Sequence, residues 1–556
     1  MDADVIVVGA GLSGMVAALE AHRRGKRVII VDQEGEQNLG GQAFWSFGGL
    51  FLVNSPEQRR LGIRDSAELA WSDWQGTAGW DRLDGERPQD EWAQQWGRAF
   101  VEFAAGDLRG WLRRHRVSLT PVVGWAERGG STAHGHGNSV PRFHVPWGTG
   151  TGVALPIVRL VRDAVATGRV RLAFRHRVDG LITEGGVVTG ITGTVLEDDP
   201  GPRGAASSRT PVRDFTLRAP AVIVCSGGIG GAHDLVRAHW PERLGSAPRS
   251  MITGVPAYVD GRMLSIAATA GARLVNEDRM WHYTEGIRNW DPIWPTHGIR
   301  ILPGPSPIWL DALGRRLPAP ALPGFDTLET LRRLRTTPDL AAHDHSWFIM
   351  TKRMLAKEVA LSGSEQNPDI TNRDYRLMAR TRLGGLVPGP VADFVRHGAD
   401  FVTADSADSL VRRMNAITGD DLLDVATVQR QLQARDLQLR NDFTKDAQIM
   451  AVRNARASRA DRMTRVTPLH RMLDPKEGPL VGIRLHTLTR KSLGGLQTDL
   501  SGRVRAQNGE VVAGLYAAGE AAGFGGGGVH GYRALEGTFL GGCIFSGMRA
   551  GQGAAA

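Results

Sequence analysis

The chain has 556 residues, of which 42% are hydrophobic and 22% charged, so it is a globular sequence too long for one core, and we expect two domains. The formal charge of +9 is spread along the chain, which argues against a nucleic-acid partner. Two cysteines, Cys225 and Cys543, are too few for a disulfide framework and favour a reducing compartment. Because neither a secretory signal nor a run of about 18 apolar residues occurs, the sequence predicts a cytoplasmic protein without an integral membrane segment.

The first 32 residues predict a complete βαβ unit. Residues 4–8 form an apolar run typical of a buried strand, 15–24 follow a helical pattern, and 27–31 predict a second strand that ends in Asp32. The turn after the first strand contains the residues expected to contact a pyrophosphate, which are Gly9, Ala10, Gly11, Ser13 and Gly14. Asp32 would accept hydrogen bonds from a ribose diol. We interpret the unit as a dinucleotide site, with a purely structural glycine turn as the alternative.

The segment after Asp32 favours FAD over NAD. It adds glycine pairs and a serine where a second phosphate and a flavin ring need backbone donors and room. The residues expected there are Gln33, Gly40, Gly41, Gln42, Ser46, Gly48 and Gly49. This run resembles the FAD-binding family of fumarate reductases, succinate dehydrogenase flavoproteins and 3-ketosteroid dehydrogenases, and the resemblance implies FAD as cofactor.

Later segments resemble the same family. Residues 491–499, KSLGGLQTD, resemble a stretch of 3-ketosteroid dehydrogenases, and residues 514–520 read GLYAAGE, a signature of the family. The resemblance implies further contacts to FAD from Val178, Ser226, Gly227, Gly519, Glu520, Thr538 and Leu540.

Because the matching segments lie near both ends of the chain, the predicted fold is α/β with an α+β cap. It is a discontinuous, Rossmann-type FAD-binding domain with an inserted substrate-capping domain. The predicted FAD-binding segments are 1–274 and 466–556, and the predicted capping domain is 275–465. Residues 197–213 predict an exposed hairpin tip or loop, and residues 425–465 predict one or two amphipathic helices.

The glycine-rich run near the C-terminus is the best sequence candidate for the chemistry. Resemblance to 3-ketosteroid dehydrogenases implies that Tyr532 and the N–H of Gly537 polarise a substrate ketone. Resemblance to fumarate reductases implies that Arg533 binds a substrate oxygen. Lys491 stands where fumarate reductases have a histidine, which weakens a dicarboxylate reaction. From the predicted cap, His282 is a further catalytic candidate, with a structural histidine as the alternative.

Two kinds of site are left unassigned by the sequence. Phe325 is the residue nearest to the place where the resemblance implies a catalytic tyrosine, so no proton-abstracting residue is predicted. His134, His136 and the nearby His144 could reach the mouth of the active site, but no further ligand follows at a recognisable spacing. We therefore predict no metal.

These observations predict an FAD-dependent oxidoreductase that acts on CH–CH groups. The expected reaction is dehydrogenation or reduction of a C–C or C=C bond next to a carbonyl, and the expected substrate is a steroid-like or other apolar cyclic ketone. The alternatives are a fumarate-reductase-like reductase of an unsaturated acid and a non-catalytic FAD-binding redox protein. Turnover requires an electron acceptor that the sequence does not identify, and the sequence is compatible with an oligomer.

Overall fold

The computed structural model describes residues 1–129, 138–383, 385–533 and 537–556. The strands in these ranges are β1 (Val5–Val8), β2 (Val28–Val31), β3 (Leu50–Phe51), β4 (Leu119–Gly124), β5 (Phe143–Pro146), β6 (Val170–Ala173), β7 (His176–Glu184), β8 (Val187–Leu196), β9 (Pro211–Arg218), β10 (Val222–Val224), β11 (Ile252–Thr253), β12 (Leu274–Val275), β13 (Met280–Arg288), β14 (Gly298–Pro303), β15 (Ile308–Leu310), β16 (His345–Thr351), β17 (Val359–Leu361), β18 (Phe401–Ala404), β19 (Leu480–Ser492), β20 (Gly495–Leu496), β21 (Arg503–Arg505) and β22 (Val511–Ala517). The α-helices are α1 (Leu12–Arg23), α2 (Pro56–Arg60), α3 (Ala67–Ala78), α4 (Glu91–Ala105), α5 (Asp107–Arg114), α6 (Thr149–Ala166), α7 (His233–Ala238), α8 (Arg262–Thr269), α9 (Thr327–Thr336), α10 (Lys352–Glu358), α11 (Pro368–Thr371), α12 (Tyr375–Met378), α13 (Gly389–His397), α14 (Ala407–Thr418), α15 (Val425–Gln438), α16 (Ala447–Ala455), α17 (Arg459–Thr464) and α18 (Thr538–Ala554).

The N-terminal unit lies at the centre of a six-stranded sheet with the order β21-β22-β10-β1-β2-β6. Strands β1 and β2, with the sequences VIVV and VIIV, are buried at every residue, as expected for parallel strands covered on both faces. They pair in parallel through the crossover helix α1. The predicted Rossmann-type α/β fold is therefore confirmed.

A second sheet contains eight strands, with the path β15-β16-β19-β13-β14-β17 and with β11 and β18 also paired to β19. It has a hydrophobic core of its own. Strands β11 and β19 lie outside the predicted capping segment 275–465, so the second sheet includes chain on either side of that segment. The division into domains stays a prediction.

The stretch 425–465 forms three helices, α15, α16 and α17, where one or two were predicted. Each helix begins after a residue whose side chain accepts a hydrogen bond from the backbone N–H three residues later, and these residues are Asp424, Asp446 and Ser458. Such N-caps start separate helices within one amphipathic stretch. Within the described ranges, none of the helices combines the length and the apolar character needed to cross a bilayer.

The segment 197–213 connects the antiparallel strands β8 and β9, as the predicted hairpin tip would, but it is shorter than expected and packs on the protein. β9 begins at residue 211, and the loop before it contacts the segment that follows β2. Gln37 Nε2 donates to the carbonyl oxygen of Asp199 at 3.0 Å, and Arg203 Nη2 donates to that of Leu39 at 3.1 Å. The loop thus covers part of the segment predicted to bind the cofactor.

Candidate active site

A deep cleft with about 1260 Å³ of empty space opens where β1, β2 and β10 end. In an open parallel sheet, this edge is the usual place for a ligand. The predicted cofactor residues that line the cleft are Gly9, Gly11, Ser13, Asp32, Gln33, Gly41, Gln42, Ser46, Val178, Ser226, Gly227, Glu520 and Leu540. The fold therefore brings residues from both ends of the chain to one site.

The glycines of the first turn have different structural tasks. Gly9 has a φ of 108°, which favours glycine, and a Cβ on Gly14 would lie 2.0 Å from the carbonyl oxygen of Gly9. A Cβ on Gly11, in contrast, would meet no atom within 4 Å. Gly9 and Gly14 are thus needed by the protein itself, whereas the space beside Gly11 is left open on the side of the cleft.

Asp32 links the turn to the end of β2. Its Oδ2 accepts a hydrogen bond from the N–H of Ala10 at 2.7 Å, and its Oδ1 accepts one from the N–H of Glu34 at 2.8 Å. Burial raises the pKa of Asp32 to about 6, while both backbone donors oppose that shift. The carboxylate is therefore held rigidly in the cleft wall, as a ribose acceptor must be.

A second buried carboxylate, Glu520, joins distant parts of the chain. Its Oε2 accepts a hydrogen bond from Gln42 Nε2 at 2.9 Å, and its Oε1 accepts one from the N–H of Ser492 at 2.9 Å. Burial raises the pKa of Glu520. The residue thus fastens the C-terminal segment to the glycine-rich segment after β2.

The other predicted cofactor residues support the cleft from behind or face the adjoining space. The backbone of Ala10 donates to Asp32, and Gly40 donates to the carbonyl oxygen of Ala10 at 3.0 Å. Gly519 donates to Ser546 Oγ at 2.9 Å. The predicted residues outside the lining of the cleft are Ala10, Gly14, Gly40, Gly48, Gly49, Gly519 and Thr538. Their direct contact with FAD stays a prediction.

A second cavity, with about 540 Å³ of empty space, adjoins the cleft. The two share the lining residues Ser46, Arg490, Lys491, Phe539 and Leu540. The rest of the second cavity is lined by Phe47, Gly48, Gly49, Ala126, Phe143, Tyr283, Arg300, Leu302, Ser362 and Gly537. Two of the predicted catalytic residues, Lys491 and Gly537, therefore lie at this cavity.

The cavity also contains a buried polar pair that the sequence analysis did not assign. Lys491 Nζ donates a hydrogen bond to Tyr283 Oη at 2.9 Å, and Tyr283 is only 1% exposed. The guanidinium carbon of Arg300 lies 3.9 Å from the centre of the Tyr283 ring. The sequence analysis predicted no strand here, and alternation along β13 places Tyr283 and Trp281 on one face.

Three predicted catalytic residues lie outside the lining of both cavities. The ring of Tyr532 lies 4.4 Å from the guanidinium carbon of Arg243, and Arg533 lies beside Tyr532. His282 packs on Trp240, with ring centres 4.7 Å apart, and burial lowers its pKa to about 3. Successive residues of a strand point to opposite faces, which accounts for the separation of His282 from Tyr283. A catalytic role for these three residues stays a prediction without a contact that supports it.

The histidines considered for a metal have other surroundings. His134 and His136 lie outside the described residues. His144 is fully buried, with Nε2 2.7 Å from Ser55 Oγ and Nδ1 2.8 Å from the carbonyl oxygen of Arg142. In the part of the chain that the structure describes, no three His, Cys, Asp or Glu side chains form a group suited to a metal ion.

The cleft fits FAD on its own geometry. Gly11 leaves open space beside the start of α1, Asp32 supplies a fixed acceptor, and the wall continues past Gln42 to Lys491 and the second cavity. A helix start suits the phosphates, and the adjoining cavity provides room for a substrate. The fold and the cleft together define an FAD-binding flavoprotein.

Comparison with known proteins supports the conclusion that the protein is an FAD-binding flavoprotein. Residues 4–540 match the family described as FAD binding domain. The chain is 59% identical over 555 residues to a KsdD-like steroid dehydrogenase of Mycobacterium tuberculosis (strain CDC 1551 / Oshkosh), and the alignment covers 100% of this chain and 96% of that protein. It is 60% identical over 556 residues to the KsdD-like steroid dehydrogenase of Mycolicibacterium smegmatis, and that alignment covers 100% of this chain and 99% of the relative.

A solved structure shows the same fold. The 3-ketosteroid delta1-dehydrogenase from Sterolibacterium denitrificans, in complex with 1,4-androstadiene-3,17-dione, matches with a TM-score of 0.65 at 17% identity, covering 100% of this chain and 99% of that one. The chain belongs to the FAD-binding family that includes the KsdD-like steroid dehydrogenases. The family resemblance and the FAD cofactor predicted from the sequence are thereby confirmed.

Proposed function

We propose that the protein is an FAD-dependent dehydrogenase of a steroid-like or other apolar cyclic ketone, acting on a C–C bond next to the carbonyl. The observation that carries this proposal is the second cavity, which joins the cofactor cleft at Lys491 and is otherwise largely aromatic and apolar. The names of the relatives at 59% and 60% identity support the steroid-like substrate class.

The walls of the second cavity suit a flat apolar molecule. The rings of Phe47 and Phe143 stack with centres 6.2 Å apart and planes inclined by 14°. Phe539 and Leu540 line both the cavity and the cleft, and Leu302 adds a further apolar side chain to the cavity wall. A few polar groups among apolar walls are the usual composition of a specific small-molecule site.

When bound, FAD supplies the oxidant that accepts a hydride from carbon. The side chains of the second cavity bind and orient the ketone, exclude water and place hydrogen-bond donors near its oxygen. Loss of a proton next to a carbonyl builds negative charge on that oxygen, so preorganised donors lower the barrier. Of the predicted catalytic residues, the proposal retains Lys491 and Gly537, because both line this cavity.

An unsaturated acid is a less suitable substrate for this cavity. Three cations line this cavity, and a carboxylate would have to pair with one of them. Arg300 already contacts the carboxylates of Glu127 and Glu285, and Lys491 Nζ already donates to Tyr283 Oη, which leaves Arg490 as the cation that the acid reaction would have to use. Both carboxylates are buried beside Arg300, and removing a buried partner is costly. We therefore place the fumarate-reductase-like reaction second.

The test is anaerobic incubation of purified holoprotein with a matched pair of enones, a 3-ketosteroid and the single-ring cyclohexenone. We expect the steroid to bleach the absorbance of oxidised flavin and to lose two hydrogens, as measured by mass spectrometry, while the small enone reacts poorly because it leaves the apolar walls unfilled. A panel of cyclic ketones that leaves the flavin oxidised would refute the dehydrogenase. Reoxidation of the dithionite-reduced protein by fumarate would favour the acid reductase.

The proposal includes an external electron acceptor, since the flavin must be reoxidised in each turnover, and an oligomer is compatible with it. We also propose a cytoplasmic location. Cys225 and Cys543 are both free thiols, as expected in a reducing compartment.

A further inference from the structure

The turn between α15 and α16 exposes three large apolar side chains. Leu437 near the end of α15 is 63% exposed, Phe443 in the turn is 88% exposed, and Met450 in the first turn of α16 is 48% exposed. Single exposed apolar residues are common, but a contiguous group of large ones marks a binding surface. The hydrogen bonds of the turn bring these three residues into such a group.

One side chain folds the turn back onto the end of α15. Gln438 Oε1 accepts a hydrogen bond from Thr444 Oγ1 at 2.9 Å and another from the N–H of Lys445 at 3.3 Å. Leu437 directly precedes Gln438, and Phe443 directly precedes Thr444. Both apolar side chains therefore lie beside this junction, in one small area of the surface.

Met450 adjoins the same area through the start of α16. Because Asp446 caps the helix, Lys445 stands just before the cap and Met450 at the fourth helical position. Residues at these two positions are neighbours at a helix start. The turn also has a fixed backbone, since Asn441 Oδ1 accepts a hydrogen bond from the N–H of Phe443 at 2.9 Å. The phenylalanine ring is thus held out from the protein by an ordered turn.

The charged side chains around this apolar group are mainly cations. Three exposed cations flank it, and they are Arg440, Lys445 and Arg453. Within the described ranges, none of the three forms an ion pair. Asp442 is the one exposed acid from residue 437 to residue 453, because Asp446 is partly buried and pairs with Arg316 at 2.6 Å. We call Leu437, Phe443, Met450 and the three cations the apolar–basic patch.

Apolar side chains that project among cations are typical of a surface that binds anionic membranes. A second copy of this chain is a poorer partner, because a two-fold contact would place the cations of the patch against one another. We propose that the apolar–basic patch docks on an anionic lipid bilayer, with Phe443 inserted among the headgroups and the three cations close to the lipid phosphates.

Docking of this kind goes beyond the proposed function, but it would serve that function. An apolar ketone of the proposed class accumulates in lipid rather than in water. A protein held at the bilayer would therefore meet its substrate where the substrate is most concentrated. Binding to vesicles requires no ketone, so failure of the proposed reaction and failure of the docking are separate results.

The test is sedimentation of FAD-loaded holoprotein with vesicles of phosphatidylcholine and phosphatidylglycerol in equal parts, compared with vesicles of phosphatidylcholine alone. We expect binding to the anionic vesicles that weakens as salt is raised, because salt screens exposed charges. Phe443→Ser should lower the partition coefficient about tenfold or more, since the ring no longer leaves water. Arg440→Gln combined with Lys445→Gln should lower it about 25-fold, at about fivefold for each cation.

Val212→Ser and Arg213→Gln are the matched controls. Both residues are exposed on β9, outside the apolar–basic patch, so both variants should bind the vesicles as the parent does. The side chains replaced in the patch and in the controls are all exposed, so every variant should keep the circular dichroism and the FAD content of the parent.

Four results would overturn the proposal. The parent protein could stay in the supernatant with the anionic vesicles, or it could bind both kinds of vesicle equally. The patch variants could bind as tightly as the parent. Lastly, sedimentation velocity could reveal a dimer that Phe443→Ser converts to a monomer, because the patch would then be covered by a second copy of the chain.

Discussion

Replacing Gly11 by valine should abolish most FAD binding while leaving the apoprotein folded. The backbone at Gly11 is extended, with φ −73° and ψ −178°, a conformation that valine adopts readily. A Cβ there would meet no atom of the protein within 4 Å, so the new side chain begins in the open space beside the helix start. The cost to the apoprotein is that of a poorer helix N-cap, about 1 kcal/mol.

The cost to FAD binding should be much larger. A valine in this space would keep a phosphate from about two backbone N–H groups, each worth roughly 1.5–3 kcal/mol as a bond to a charged group. The sum, about 3–6 kcal/mol, corresponds to a dissociation constant raised by about 10²–10⁴-fold. The measurement is titration of apoprotein with FAD, followed by quenching of tryptophan fluorescence, with circular dichroism to confirm the fold.

The matched control is Gly389→Val. Gly389 is the first residue of α13, one position after the N-cap place that Gly11 has before α1. A Cβ there would likewise meet no atom within 4 Å, but the residue lines neither cavity. Its FAD dissociation constant should stay within about twofold of the parent's. A Gly11→Val protein that binds FAD within about threefold of the parent would refute the reasoning, because the first turn would then have only a structural task.

Three further predictions concern buried polar groups. Arg142→Met should lower the free energy of unfolding by about 3–5 kcal/mol, since it removes the cation that pairs with two buried aspartates. Loss of the exposed ion pair in Arg98→Met should cost less than about 1 kcal/mol. Equal urea midpoints for the two variants would contradict this prediction. His282→Phe should retain turnover and make the fold less sensitive to acid. His282 stays neutral in the folded protein down to about pH 3, so its contribution to the free energy of unfolding is complete above the unfolded pKa of about 6.5. That contribution falls by about 2 kcal/mol from pH 6.5 to 5, and the fall should be absent in unfolding curves of the variant. Gln42→Leu removes a donor to the ionised form of Glu520, whose pKa is already raised in the folded state, so stability should be lost more at pH 8 than at pH 5; a deficit independent of pH would show that Glu520 is not ionised.

The N-terminal βαβ unit and its cofactor were predictable from the sequence because their signals are local. A buried parallel strand, a glycine turn, a helix and an acid follow one another within 32 residues, a pattern typical of a dinucleotide-binding unit. Asp32 therefore lies at the end of β2 in the wall of the cleft, as the sequence pattern predicted. Gln42 and Glu520 were nominated separately, but their hydrogen bond joins residues 478 positions apart and has no local signal.

The side chains that line the second cavity were harder to predict, because each depends on which face of an element meets the cleft. Within β13, His282 and Tyr283 are adjacent in sequence, yet the pleat of the strand directs one toward Trp240 and the other into the second cavity. Tyr532 lies in the glycine-rich run that the sequence favoured, but packing against Arg243 places its ring away from both cavities. The sequence by itself thus determined the Rossmann-type core and its FAD, since these follow from local backbone requirements. Only the tertiary structure decided which polar side chains share the second cavity, because that choice depends on strand register and on packing between segments far apart in the chain.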